Sequence, residues 1–549
     1  MDYQEKPVKR QRPFLKAKDT PPVAIAFLYG FQQVMVCVSA LLTVPLIMAD
    51  SLCPGSSIAK LRQTLISSTF VSSGISTIIQ TLFGMRLALL QGTAFAYVPS
   101  VQGFMSLPEN MCNATEHDEV PPEVYYGKLA LIQGCLIASS FVPMLIGATG
   151  LVGLLTKFIG PLTVSPLMLL LAFSQVELMV THISKHWVAI VQAVTLFATI
   201  LYLVDVKVPL PGVKHGKFHW YRTNIFGQYP YLIAIITSWI FCVALTLLNL
   251  TPEGSPARVD KNISLAVIRE SNWLEVPYPG KFGPPQFNLG LFLLFLLSAM
   301  TSVFESVGDY HAAARVSEER PPPSHAINRG ILAEGFGSLI SGLLGPGVGM
   351  TTHTENIGVI GVTRVASRWT MVVAGVLLII LGLITKIGAL LSTIPDPLVG
   401  GVLASSMAMV VGVAVSNLQT VDMSMSRNMG IFGFSMMLGF IVPNYYKKFP
   451  VATDWGWLNQ ILNVLLQMPM FVGALCACIL DNTIGGATRE QRGLRARGEI
   501  HAVGIDECTY SYPPIVMRIL NKIPLVKYLP CMPKEKKATN RVVQEEIRL

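Results

Sequence analysis

Charge is scarce in this chain. Asp, Glu, Lys and Arg make up 13% of its 549 residues, 52% are hydrophobic, and the mean hydropathy is +0.53. Soluble domains carry about 25% charged residues, so the composition excludes an ordinary soluble fold and indicates a chain that crosses a membrane many times. Chemistry-bearing motifs are missing as well. The nine cysteines have no metal-ligand or redox spacing: Cys476 and Cys478 are separated by one residue, and Cys37, Cys135 and Cys242 lie in apolar runs as packing residues. There is no phosphate-binding loop and no nucleophile–base pattern, so neither an enzyme nor an organic cofactor or metal is expected. No basic–aromatic pattern points to nucleic acid. The net charge of +9 is concentrated in the tails and reads as a topology signal. No cleavable-signal pattern precedes the first apolar run, so the first span is expected to serve as its own insertion signal.

Apolar runs of spanning length occur at 23–49, 62–84, 126–147, 159–178, 186–204, 229–250, 288–308, 370–393, 397–416, 429–446 and 459–483. Weaker runs, broken by Gly or Pro, lie at 86–105, 331–345 and 350–366. Together they predict an all-α polytopic membrane protein of about 14 crossings. Basic residues in 205–228 (Lys207, Lys214, Lys217, Arg222), in 315–329 and after 486 place those segments and both termini in the cytoplasm. Three sequons, at Asn113, Asn249 and Asn262, then fall outside. Asn113 and Asn262 are the expected glycosylation sites, whereas Asn249 lies too near the membrane. Cys53 and Cys112, in the first two outer loops, form a candidate disulfide or remain two free thiols. The segment 513–531 reads as a surface-lying amphipathic piece.

A carboxylate at bilayer depth costs several kcal/mol, and such groups mark pathways more often than they brace folds. Glu305 lies in an apolar run, and Asp309, four residues on, shares its helix face. Glu355 follows a segment that Gly345, Pro346, Gly347 and Gly349 should keep extended, with a helix expected to begin near Asn356. A half-helix N-terminus at mid-membrane offers free amides to a polar ligand, with Thr354 and Asn356 beside it. The segment from Gln91 to Pro99 is a second short, Gly/Pro-bounded piece, in the third span. Matching broken segments in two halves are the mark of inverted repeats. Phe95 there either stacks on a flat ligand or simply packs. Gln32 and Gln33 in the first span need partners, a ligand or Glu305 among them. His353 is read as a spacer or helper, facing away from Glu355 along an extended strand.

These residues resemble the nucleobase–ascorbate transporter family. The likeness covers most of the membrane region and is strongest over 298–444. FESVGDY (304–310), PPPSHAINRG (321–330) and IPDPLVGG (394–401) look like its animal branch, and the run from Glu355 to Arg364 fits the family signature. The resemblance implies about 14 spans as two inverted seven-span repeats, with short extended segments in spans 3 and 10. It implies an N-terminal tail (1–22), core segments 23–147 and 288–393, gate segments 148–250 and 394–485, an extracellular loop (251–287) and a C-terminal tail (486–549). Transport would follow an elevator-like movement of the core, in a homodimer joined through the gates in the plasma membrane. Carried over by motif, Glu305, Glu355, Phe95, Ala96, Thr354, Asn356 and Gln33 would bind the substrate. Asp309, with Glu305, would couple transport to a cation, with Na+ at Asp309 or H+ as the alternative. Two departures stand out. Family members commonly carry Gln-His where this chain has Gln32 and Gln33, and animal ascorbate carriers have Pro where it has Glu355. A carboxylate there suits the N–H edge of a neutral base and repels ascorbate, an anion. The expected activity is therefore cation-coupled nucleobase transport of uracil or xanthine type. The alternatives are Na+-dependent ascorbate transport and an anion-exchanger-like carrier.

Overall fold

A computed structural model describes residues 15–105, 110–111, 118–152, 158–214, 217–223, 225–260, 262–494, 507–520, 522 and 529–532. Helices dominate. The first part comprises α1 (Val23–Leu52), α2 (Ile58–Leu82), strand β1 (Gln91–Thr93), α3 (Val98–Met105) and α4 (Pro122–Thr149). It continues with α5 (Pro161–Ser174), α6 (Val176–Ile183), α7 (Val188–Phe197), a hairpin β2–β3 (Val208–Lys214, Lys217–Thr223) and α8 (Pro230–Leu247). After α9 (Asn262–Glu270) come α10 (Leu289–Val316), α11 (Ser324–Leu344), β4 (Met350–Thr352), α12 (Thr354–Thr363), α13 (Arg368–Leu383) and α14 (Thr385–Leu391). The last part holds α15 (Asp396–Leu418), α16 (Ser426–Lys448), α17 (Gly456–Leu466), α18 (Pro469–Thr483) and α19 (Pro514–Leu520).

Among the described residues six helical stretches are long and apolar enough to cross a membrane, and four further apolar helices are shorter. One order of elements occurs twice: long helix, long helix, three-residue strand with short helix, long helix. It runs through α1, α2, β1 with α3, and α4, then again through α10, α11, β4 with α12, and α13. The two strands pair antiparallel, Gln91 with Thr352, Gly92 with Thr351 and Thr93 with Met350. The basic segment 205–228, read as a plain loop, instead contains the β2–β3 hairpin.

Strands inside a membrane protein survive only where protein satisfies their backbone. Here serines and a threonine do so. Ser73 of α2 donates to the Gln91 carbonyl, and Thr77 accepts from the Gln91 amide at 2.9 Å. Ser338 of α11 accepts from the Met350 amide at 3.0 Å, and Ser341 donates to the Val348 carbonyl. Two of the many Ser and Thr residues of α2, Ser73 and Thr77, serve the strand in this way. Gly345 and Gly347 sit at φ +89° and +91°, ending α11 and turning the chain into β4.

The helices pack in two groups. In one, α2 lies against α13 and α11, α11 against α4, and α1 against α2 and α13. The α2–α13 contact is close because a Cβ on Gly74 would stand 2.5 Å from the Gly375 carbonyl oxygen; small residues of this kind are what lets membrane helices approach. In the other group α15 packs on α5, α6 and α7, and α18 on α16 and α5. Arg62 of α2 ties the two together, donating to Asp50 of α1 at 2.7 Å and to Asp396 of α15 at 3.1 Å, while Lys185 reaches Asp396 at 3.0 Å.

Candidate functional site

The β1–β4 pair is the floor from which the candidate residues are built. The chain leaves β1 into a turn of helix at Phe95–Tyr97, and leaves β4 directly into α12 with His353 at its N-cap. The helix therefore starts at Thr354, two residues earlier than the glycine pattern indicates. Four carboxylates gather beside it and all are buried: Glu305 and Asp309 on α10, Glu334 on α11 and Glu355 on α12.

Their surroundings differ. Glu334 is saturated. It accepts hydrogen bonds from Ser306 (2.5 Å), Tyr310 (2.8 Å), Thr352 (2.7 Å) and Gln91 (3.4 Å), so that α10, α11, β1 and β4 meet at one side chain. Gln80 of α2 donates in turn to the Tyr310 hydroxyl at 2.7 Å. Asp309 accepts from Thr354 Oγ1 at 3.3 and 3.2 Å. Glu355 Oε2 lies 3.1 Å from His353 Nδ1. Glu305 Oε2 is buried and has no hydrogen-bond partner. A buried carboxylate oxygen left open is costly unless a donor or cation arrives.

His353 does not face away from Glu355. Its ring turns to the same side, and Thr354 between them turns to Asp309, as alternation requires, because residues two apart in an extended segment share a face. The ring lies over Gly92 so closely that a Cβ there would be 1.9 Å from Nε2, an atom that itself has no partner.

Gln33 and Asn356 are engaged with each other. Asn356 Nδ2 donates to Gln33 Oε1 at 2.9 Å, and Asn356 Oδ1 accepts from the Leu90 amide at 3.1 Å. The Gln33 carbonyl thus braces Asn356 rather than Glu305. Phe95 and Ala96 are both buried, and Phe95 belongs to an apolar cluster with Val164, Leu167 and Met168 of α5 and Leu403 and Met407 of α15. That cluster draws side chains from both helix groups. Gly308 of α10 lies where the groups meet, since its added Cβ would stand 3.0 Å from Val164 of α5.

Glu334 is absent from the sequence reading, although the argument that picks out Glu305 applies to it equally: it is an acid in a Gly-rich apolar run. The run 331–345 is counted among the weaker, Gly-broken spans, but its acid is not singled out there. Of the remaining candidates, Cys53 is disulfide-bonded. Cys112 and Asn113 lie outside the described residues. Asn262 is the first residue of α9. Among the described residues no group of three or more His, Cys, Asp or Glu is arranged to hold a metal.

An open carboxylate oxygen, a carboxylate–imidazole pair and the N-terminus of α12 thus lie on neighbouring buried elements. A sequence model of the Permease family (Xan_ur_permease) matches residues 24–448. Human solute carrier family 23 member 2 is 36% identical over 543 residues, covering 94% of this chain and 82% of that protein. Mouse solute carrier family 23 member 1 is 36% identical over 538 residues, with 94% and 88% covered. Nucleobase-ascorbate transporter 1 of Arabidopsis thaliana is 29% identical over 478 residues, with 84% and 88% covered. A looser structural likeness, TM-score 0.46 at 14% identity over 84% of this chain and 99% of the other, relates it to the transmembrane domain of a cyanobacterium bicarbonate transporter; a likeness so loose decides nothing about the fold. By family match and by relatives alike, this chain is a multi-pass membrane protein that belongs to the nucleobase–ascorbate transporter family.

Proposed function

We propose that the chain is a secondary active transporter taking up a nucleobase of uracil or xanthine type, coupled to Na+ in preference to H+. The observation that carries this is the open Glu305 Oε2 beside Glu355, both buried among polar groups next to a half-helix N-terminus. Ring N–H groups of a neutral base would donate to the two carboxylates, its carbonyls would accept from the first-turn amides of α12, and Phe95 would cover one face. Ala96, Thr354, Asn356 and Gln33 would hold the backbone around it. Asp309, with the Thr354 hydroxyl against it, is the proposed Na+ position, where a cation offsets the cost of a buried charge.

The same reading extends to the architecture. The repeated element order and the antiparallel β1–β4 pair support inverted repeats. The two helix groups support a core (23–147, 288–393) that moves past a gate (148–250, 394–485), with Phe95 and Gly308 at the sliding face. The basic segments support cytoplasmic termini in a plasma-membrane protein, and the resemblance supports a homodimer.

One observation favours a second reading, Na+-dependent ascorbate transport. His353 Nδ1 lies 3.1 Å from Glu355 Oε2, and a ring N–H donating there would occupy the carboxylate oxygen that otherwise faces an anion. Uptake of radiolabelled uracil, xanthine and ascorbate into cells expressing the chain, each in Na+ and in choline, separates the two. Base uptake without ascorbate uptake supports the first reading. Ascorbate uptake overturns it in favour of the second, and the choline arm names the ion.

A further inference from the structure

Two segments from the tails of the chain, 15–19 and 509–512, come to the corner between α12 and α13. The Leu15 amide donates to the Arg364 carbonyl at 3.1 Å, and the Leu15 carbonyl accepts from Ala366 at 2.8 Å. Ser367 donates to the Asp19 carbonyl at 2.6 Å. From the other end, Tyr510 accepts through its carbonyl from Arg329 of α11 at 2.7 Å, and its hydroxyl donates to the Arg320 carbonyl, just past α10, at 2.5 Å. The Arg329 guanidinium lies 4.3 Å above the Tyr512 ring. Thr509 donates to Glu319 at 3.0 Å. The helices held in this way, α10, α11 and α12, are those that carry Glu305 and Asp309, Glu334, and Glu355.

One residue joins the two ends. Arg368, first in α13, donates from Nε to the Ala17 carbonyl at 2.8 Å and from Nη1 to the Thr509 carbonyl at 3.4 Å. A fork of fixed donors is what Arg supplies and Lys does not. The mechanical consequence follows from the length of α12. It has ten residues, about 15 Å, and it stops at Arg364 in a left-handed conformation. A helix this short moves as a unit, so its residues are placed from both ends, by the Asn356–Gln33 and Thr354–Asp309 bonds at its start and by the corner at its exit. That corner is sealed by the chain ends: Ala17 is 1% exposed, Ala366 and Ser367 are 0%.

We propose that Arg368 is a positioning residue: by clasping residues 15–19 and 509–512 to the α12–α13 corner, it fixes α12 and hence the place of Glu355. The proposal deepens the transport reading and rests on it for its uptake arm only.

The test uses the full-length chain with Arg368→Gln, Arg368→Lys and Tyr510→Phe. Amide hydrogen exchange is followed in purified protein, and KM and maximal rate are followed for whichever of uracil, xanthine or ascorbate the parent takes up. Arg368→Gln should speed exchange over 354–363 about tenfold while leaving α5 and α15 unchanged, and should raise KM more than it lowers maximal rate. Arg368→Lys should restore part of both, because a single ammonium reaches one carbonyl and not two. Tyr510→Phe, which loosens one end without touching Arg368, should give a smaller rise in the same peptide. Unchanged exchange over 354–363, or a rise spread evenly over the chain, overturns the proposal. If Arg368→Gln fails to reach the membrane, Tyr510→Phe decides by the same criterion. If no probe is taken up by the parent, the transport reading fails, and the exchange result still stands for or against the clasp.

Discussion

Asn356 Nδ2 stands 2.9 Å from Gln33 Oε1, and this one bond joins the first long helix to the short helix that bears Glu355. Both groups are buried, at 0% and 3% exposure, and removing Gln33 leaves the Asn356 amide nitrogen only a weak contact with Met371 Sδ at 3.7 Å. Such a loss costs about 1–3 kcal/mol. Gln33→Ala should therefore lower uptake about tenfold or more, with most of the change in KM. Uptake kinetics check this, and unaltered KM would show that the bond positions nothing.

Glu305→Gln should abolish uptake, by about 100-fold or more, with normal surface expression. It should also raise the melting temperature of the purified protein, because it removes a buried charge whose Oε2 has no partner. Surface biotinylation, uptake and thermal melting read the three outcomes together. Normal uptake would take Glu305 out of the mechanism.

Glu334→Gln should behave in the opposite sense. Its carboxylate accepts four hydrogen bonds, and an amide places an N–H against donors. The cost should be about 3 kcal/mol, seen as a lower melting temperature even where expression survives. Equal melting of the Glu305 and Glu334 variants would contradict the difference between an open acid and a saturated one.

Asp309→Asn should raise the Na+ concentration for half-maximal uptake about tenfold, since Thr354 would then face a neutral amide. A sodium titration of uptake measures it. An unchanged midpoint would move the coupling ion elsewhere.

Much of this was legible in the residues because burial in a membrane is expensive. Scarce charge marked the fold class, and two acids in apolar runs, Glu305 and Glu355, marked the candidate site. The clustered glycines before Met350 marked a break, since helix cannot run through Gly345, Pro346 and Gly347. Less legible were features that depend on partners. Glu334 looks like Glu305 in sequence, and only its four donors distinguish them. Gln33 announced a need for a partner without naming it. His353 was placed on the wrong side, although residues two apart in an extended segment share a face and alternation alone puts it beside Glu355.

The sequence by itself determined that the chain is helical and lives in a membrane, that two of its segments are broken, and that a few acids lie in its apolar runs; these follow from the cost of polar groups in lipid, which is incurred residue by residue. Only the tertiary structure decided that the two broken segments are one antiparallel pair, which of the buried acids is satisfied and which is open, and that segments from both tails close on the corner behind Glu355. Those are relations between residues up to hundreds of positions apart, and no local preference encodes them.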